Sequence, residues 1–234
     1  MRKITRMALA VTAVTTTATA LTTTPAWADG HSVFMPGVPS PSIQPITGGS
    51  SGSIEAVTAT GGLLSCVNTA LSKALTLTGA VRVGTGLPEP SPLGQVTGLT
   101  FGNCTMGGLP AWVTPQNLPW TLSLPGFTVS GVTSAQLGGV NLRVDIPGIP
   151  CSATFQGSTA SNGLINGEHT NPTSAGAAST LTLPRDRLTT NLVATSVSVQ
   201  CPLSIVRYGD VLAVAGVIEL RGVNSTANQG PTVT

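Results

Sequence analysis

Four side chains able to do covalent or metal chemistry stand out first: Cys66, Cys104, Cys151 and Cys201. No two of them form C-x-x-C, the spacing that zinc and dithiol redox sites favour. A zinc site would otherwise need histidines, and the chain has only His31 and His169. We expect no metal there. The start of the chain, taken up below, reads as an export signal, and disulfides persist outside the cytosol. An even number of widely spaced cysteines at the ends of strand-like runs then reads as two bridges. Three connectivities are possible, and a faint internal repeat favours in-order pairing. Cys66 opens a strand-like stretch that closes on "VTGLTFGNC" at Cys104, and Cys151 opens another that closes on "ATSVSVQC" at Cys201.

Other chemistry has weaker footing. Gly48-Gly49-Ser50-Ser51-Gly52 satisfies G-x-S-x-G, and a triad of Ser50, His169 and an aspartate can be written down. A nucleophile elbow needs a strand before it and a helix after it, and here a Pro/Gly-rich tract precedes it. Glycoside chemistry needs two carboxyls facing one cleft. Glu168, Asp186, Asp210 and Glu219 are scattered, with no spacing that singles out a pair. "LLSC" (63–66) matches a lipidation box in letters but lies far from any signal peptide. Two sequons, at Asn103 and Asn224, fit glycosylation in letters. "LPAWVTPQNLPWTL" (109–122) holds Trp112 and Trp120, which together suggest a sugar-stacking platform. The reading preferred here puts Trp120 in the core, on one face with Leu122 and Leu124, and Trp112 under a loop. We therefore expect no catalytic residue, cofactor or metal, and take the chain to be no enzyme.

The elements that would carry these residues begin after residue 28. "MRKITR" is basic, an uncharged stretch diluted with Thr follows, and Ala26-Trp27-Ala28 is an A-x-A site. Residues 1–28 thus read as a signal peptide cleaved before Asp29. Arg2, Lys3 and Arg6 leave with it, and the remaining seven basic residues face eight acids, for a net charge of −1. Such a chain lacks the basic patch that nucleic acid or a lipid surface needs. Charged residues make up 8% of the sequence, against about 25% in ordinary domains.

"DGHSVFMPGVPSPSIQPITGGSSGS" (29–53) reads as a flexible linker or stalk, which we extend to residue 60. One β domain is expected over 61–222, and "VNSTANQGPTVT" (223–234) reads as a polar tail. Inside the domain the hydrophobic period is two. In "VNLRVDI", Val140, Leu142, Val144 and Ile146 face one way and Asn141, Arg143 and Asp145 the other. Leu212, Val214, Ile218 and Leu220 share a face across Gly216. Gly138-Gly139 and Asn162-Gly163 read as hairpin turns. "VNTALSKAL" (67–75) is the one stretch that reads as a short helix. Short strands with turn signals point to an all-β fold, an antiparallel β-sandwich or squat β-barrel with two disulfides.

With these stretches in hand, "GQVTGLTFGNC", "LPWTLSL", "CSATFQG" and "VSVQCPLSIVRYGDVLAVAGVIEL" resemble a group of actinobacterial, Streptomyces-type secreted proteins. Those proteins share an export signal, the four-cysteine layout and an L-P-W-x-L stretch, and no activity is assigned to them. The resemblance spans about residues 61–222 and carries no catalytic motif. It implies an envelope or extracellular protein. The expected role is a secreted, non-enzymatic structural or interaction module. Its partner would be a cell-wall or extracellular matrix component or another protein, not nucleic acid, and no membrane anchor remains after signal cleavage. The alternatives are a carrier of an apolar small molecule or lipid and, less favoured, a serine hydrolase.

Overall fold

The computed structural model describes residues 30–88, 92–158 and 163–234. The signal-like segment, its cleavage site and Asn162 lie outside them. The fold is all-β, and of the two expected architectures the barrel is the one adopted. Eight long rails run up and down in chain order, and all but the last are broken once into two strands. They are β2 (Ser42–Ser50) with β3 (Ile54–Thr58), β4 (Leu63–Cys66) with β5 (Leu75–Leu87), and β6 (Gly94–Phe101) with β7 (Cys104–Met106). Then come β8 (Leu109–Pro115) with β9 (Trp120–Ser123), and β10 (Val132–Gly138) with β11 (Leu142–Ile146). The last three are β12 (Cys151–Gln156) with β13 (Leu164–Thr170), β14 (Ser179–Leu183) with β15 (Val193–Val197), and the unbroken β16 (Leu212–Gly222). Two further strands, β1 (His31–Phe34) and β17 (Thr232–Val233), lie over one end.

Every rail pairs antiparallel with its neighbours in sequence, and β16 pairs back onto β2 and β3 to close the wall. Beyond the breaks, closure between the seventh and eighth rails passes through the Val193–Val211 bridge and the Leu212 N–H to Leu192 carbonyl bond of 2.9 Å. Closure removes the free sheet edges that an open sheet of this size would expose.

Alternation decides what faces where. Val140, Leu142, Val144 and Ile146 point inward and are buried, as do Leu212, Val214, Ile218 and Leu220. The outer wall carries Thr76, Thr78, Arg82, Gln95, Thr97 and Arg143 among its exposed residues. A barrel that spans a membrane has the reverse arrangement, apolar outside and polar within. Among the described residues no helix is long and apolar enough to cross a membrane.

Several expectations are corrected. The expected 29–60 linker is not one over its described part, residues 30–60: β2 lies in the wall between β5 and β16, and β3 continues it between β4 and β16. The Pro/Gly composition hid a period-two pattern in which Ile46, Ser50, Ile54, Ala56 and Thr58 are buried. Pro45 is tolerated because its carbonyl accepts from Val223 on the side where the β16 ladder ends. A residue's N–H points to the same side as its carbonyl, so the missing donor falls where no strand remains to use it. The 223–234 tail is likewise part of the fold. β17 pairs with β1, Val233 is buried, and the Asn171 side chain bonds both its N–H and its carbonyl.

Gly138-Gly139 makes no hairpin, and β12 and β13, on either side of the Asn162-Gly163 step, do not pair with each other. The β10 rail runs on through Gly139 into β11, and β12 and β13 both run antiparallel to it. Gly139 is left-handed (φ 76°). A Cβ on Gly163 would meet the Val140 carbonyl oxygen at 1.8 Å. The glycines serve a mid-rail bulge and a close backbone approach, the other standard uses of glycine in strands. Among the described residues, tight two-residue turns instead form at Gly107-Gly108 between β7 and β8 and at Ser130-Gly131 before β10, each with both residues at positive φ as a type I′ turn requires. The expected helix at 67–75 is an irregular loop that ends where β5 begins at Leu75. Trp112 is not under a loop: it stands on the outer wall, 66% exposed.

Candidate functional site

The cysteines pair in order. Cys66–Cys104 joins residues directly opposed in the β4–β7 ladder, with Cα atoms 3.9 Å apart. Cys151–Cys201 has a Cα separation of 4.5 Å and ties the 198–210 loop to the start of β12. That loop covers one end of the barrel: Ile205 and Val206 are buried, and the Ile205 carbonyl accepts from Thr58 Oγ1 at 3.0 Å. None of the four cysteines is free to act as nucleophile or ligand.

Ser50 is fully buried, and its hydroxyl is committed. It donates to Asn68 Oδ1 at 2.8 Å and accepts from the Leu75 N–H at 3.1 Å. Asn68 in turn bonds the Ala74 N–H and the Ser50 carbonyl, so the pair braces the break between β4 and β5. His169 lies three strands round the wall, in the row that runs Ser50, Ile218, Leu181, His169. The arrangement is structural and forms no triad.

The carboxylates stay apart. Asp186 caps the 3₁₀ turn Arg187–Thr189, accepting from the Leu188 N–H. Asp210 is buried and accepts from Thr60 Oγ1 and the Arg207 N–H, holding the 198–210 loop closed. Glu168 and Glu219 pair in the ladders with Thr182 and Thr180. Among the described residues no three metal-ligating side chains gather.

The interior holds one central apolar cavity of about 40 Å³, walled by Leu64, Leu77, Val96, Trp120, Ile165 and Val214 among others. A second, of about 20 Å³, lies near the end covered by β1 and β17 and is bordered by His169, Val33, Leu124 and Val233. Both histidines are buried at that end. His31 Nε2 contacts the Leu124 carbonyl at 2.7 Å, whereas neither His169 nitrogen has a well-formed hydrogen bond. Burial pushes the His169 pKa down to about 4, opposed weakly by the nearby Pro231 backbone.

A depressed histidine binds its proton better when unfolded. Its contribution is therefore complete above the unfolded value near 6.5 and is lost as pH falls toward 4. The expected loss is about 3 kcal/mol. Denaturant unfolding between pH 7 and 4 checks this: the native protein should lose about 3 kcal/mol more over that range than His169→Gln does, and parallel curves would refute it.

The outer wall carries the other arrangement with chemical character. Ala111 and Val113 point inward, so period two throws Trp112 outward, directly opposite Asp145 on β11. Arg143, two residues along the same face, grips Asp145 through Nε and Nη2 at 2.9 Å each. Next to this pair is an open hollow of about 360 Å³ bordered by Arg143, Asp145, Pro147, Pro150 and Ser152. The alternation of Ala111, Trp112 and Val113 carries the signal for an outward indole.

No family model, curated protein or solved structure matches the chain.

Proposed function

We propose that the protein is a secreted, non-enzymatic β-barrel module of the cell envelope or extracellular space that works through its outer wall. The observation that carries this reading is the filling of the barrel. Its central cavity is about 40 Å³, far below the ~300–1,000 Å³ of pockets that hold small-molecule ligands. One end is covered by the 198–210 loop and the other by β1 and β17. A lipid carrier of this architecture would need an interior several times larger and a mouth. The hydrolase reading has no support from Ser50, whose hydroxyl is bound up with Asn68 and the Leu75 N–H.

Export is supported by the signal-like start and by two disulfides, which suit an oxidising compartment. The polar, weakly charged outer wall fits a surface exposed to water outside the cell. The actinobacterial resemblance points the same way.

Mass spectrometry of protein purified from native culture tests the reading. The expected native mass is that of the chain from Asp29 with two bridges and nothing retained. An apolar ligand that survives purification and is released on denaturation would overturn it in favour of the carrier.

A further inference from the structure

We propose that the outer wall around Trp112 is a binding site for neutral oligosaccharides built of pyranose rings with equatorial hydroxyls. This rests on the module reading above and names the partner chemistry of its working surface. Three features of the wall carry it.

The first is the aromatic ring itself. Trp112 is two-thirds exposed on a rail where its neighbours Ala111 and Val113 are in the core. An exposed indole offers a flat apolar face with a polar N–H at its edge. A pyranose with equatorial hydroxyls turns axial C–H groups to its face and hydroxyls to its rim, which matches that face.

The second is the polar set beside the ring. Ladder partners stand about 5 Å apart at Cβ, so the Arg143–Asp145 fork lies within one sugar ring of Trp112. Arg143 presents donors in a fixed plane and Asp145 presents acceptors, the pairing that vicinal hydroxyls need. Because the two charges cancel, the fork favours a neutral, hydroxyl-rich ligand over an ion.

The third is shape. The hollow of about 360 Å³ beside the fork is one flank. On the other flank, the residues next to the Cys104–Ala111 pair are Asn103 and Trp112. Asn103 Nδ2 bonds Ser72 Oγ at 2.7 Å, and Ser72 borders a second open hollow of about 640 Å³ with Lys73, Thr76 and Thr100. Trp112 borders neither hollow itself, but one lies beside its ladder partner Asp145 and the other beyond Asn103 and Ser72, which leaves room for a chain of several sugars. A peptide is the poorer fit: β8 is paired on both sides, by β7 and β11, so no strand edge is free for backbone augmentation.

Titration of the intact mature protein with chitotetraose and with cellotetraose, read by indole fluorescence and by the Trp112 indole NMR signal, tests the site. At least one of the two neutral tetrasaccharides is expected to saturate the signal with little dependence on salt. Trp112→Ala should weaken binding at least tenfold, and Asp145→Asn several-fold. Neither variant should shift the melting temperature much, since both side chains sit on the wall surface. No saturable binding of either sugar to the native protein overturns the site, as does undiminished binding by Trp112→Ala. Binding of a uronic-acid tetrasaccharide alone, fading with salt, overturns the neutral assignment and shifts the chemistry toward Lys73. None of these failures would produce the retained apolar ligand that overturns the module reading, so the two remain distinguishable.

Discussion

Trp120→Ala is expected to cost about 3–5 kcal/mol of folding free energy, the usual range for removing a buried tryptophan. The residue is 3% exposed at the start of β9 and walls the central cavity. Two losses combine. The indole Nε1–H no longer meets the Gln116 carbonyl, a bond of 2.9 Å that holds the break between β8 and β9. The vacated volume also adds to a cavity that already exists, so the wall has little means of collapsing onto it. For a domain of this size the shift in melting temperature is roughly 6–20 °C. Denaturant unfolding should show a lower midpoint with an unchanged slope. Trp112→Ala serves as the internal control, with an expected change within about 0.5 kcal/mol as for an exposed site. Equal effects from the two substitutions would contradict the assignment of one ring to the core and the other to the surface.

Replacing Cys66 and Cys104 together by alanine should cost about 4 kcal/mol by chain entropy, since the bridge closes a loop of 38 residues. The location makes the loss consequential. The bridge sits where β4 gives way to the 67–74 loop and β6 gives way to β7, beside the Ser50–Asn68 brace. Without it, that brace and the short β4–β7 ladder are left to hold the break. The Cys151/Cys201 double variant has a similar entropic cost, since its loop spans 50 residues. Its local signature differs: the 198–210 loop, held by Asp210 but no longer anchored at Cys201, becomes the first site of proteolysis. Non-reducing peptide maps should show Cys66 with Cys104 and Cys151 with Cys201. A map joining Cys104 to Cys151 would contradict the ladder register as well as the bridges.

What was legible in the sequence was whatever period two and cysteine spacing encode. The inward face of β11 and the β16 face across Gly216 follow from residue order alone; for the cysteines, residue order favours in-order pairing among three connectivities, and the ladder register settles it. The closure of the barrel does not, because its closing rail is built from "SIQPITGGS" and "IEAVT". Pro45, Gly48 and Gly49 weaken a strand in isolation, and long-range pairing with β5 and β16 overrides that preference. The glycines at 138–139 and 163 are ambiguous in sequence for a similar reason. A turn and a mid-rail bulge ask the same backbone freedom of glycine, and only the partner strands distinguish them. On the candidate site, Arg143 and Asp145 were placed on the outer face from the sequence, and Trp112 was not. Nothing local says that β8 would be paired on both flanks, leaving its outward indole in water.

Residues 42–58 close the barrel, and without that rail the wall would open between β5 and β16 onto the apolar interior. A carrier groove would then exist, and the outer wall would lose its claim as the working surface. Native-state amide hydrogen exchange, resolved by residue, tests this most directly. Central amides of β2 and β3 that bond to β5, β4 or β16 should be protected to about the same free energy as those of β5 and β16, opening only with global unfolding. Exchange of 42–58 at the rate of an unstructured peptide, with β5 and β16 still protected, would contradict the closed barrel and restore the segment as a linker.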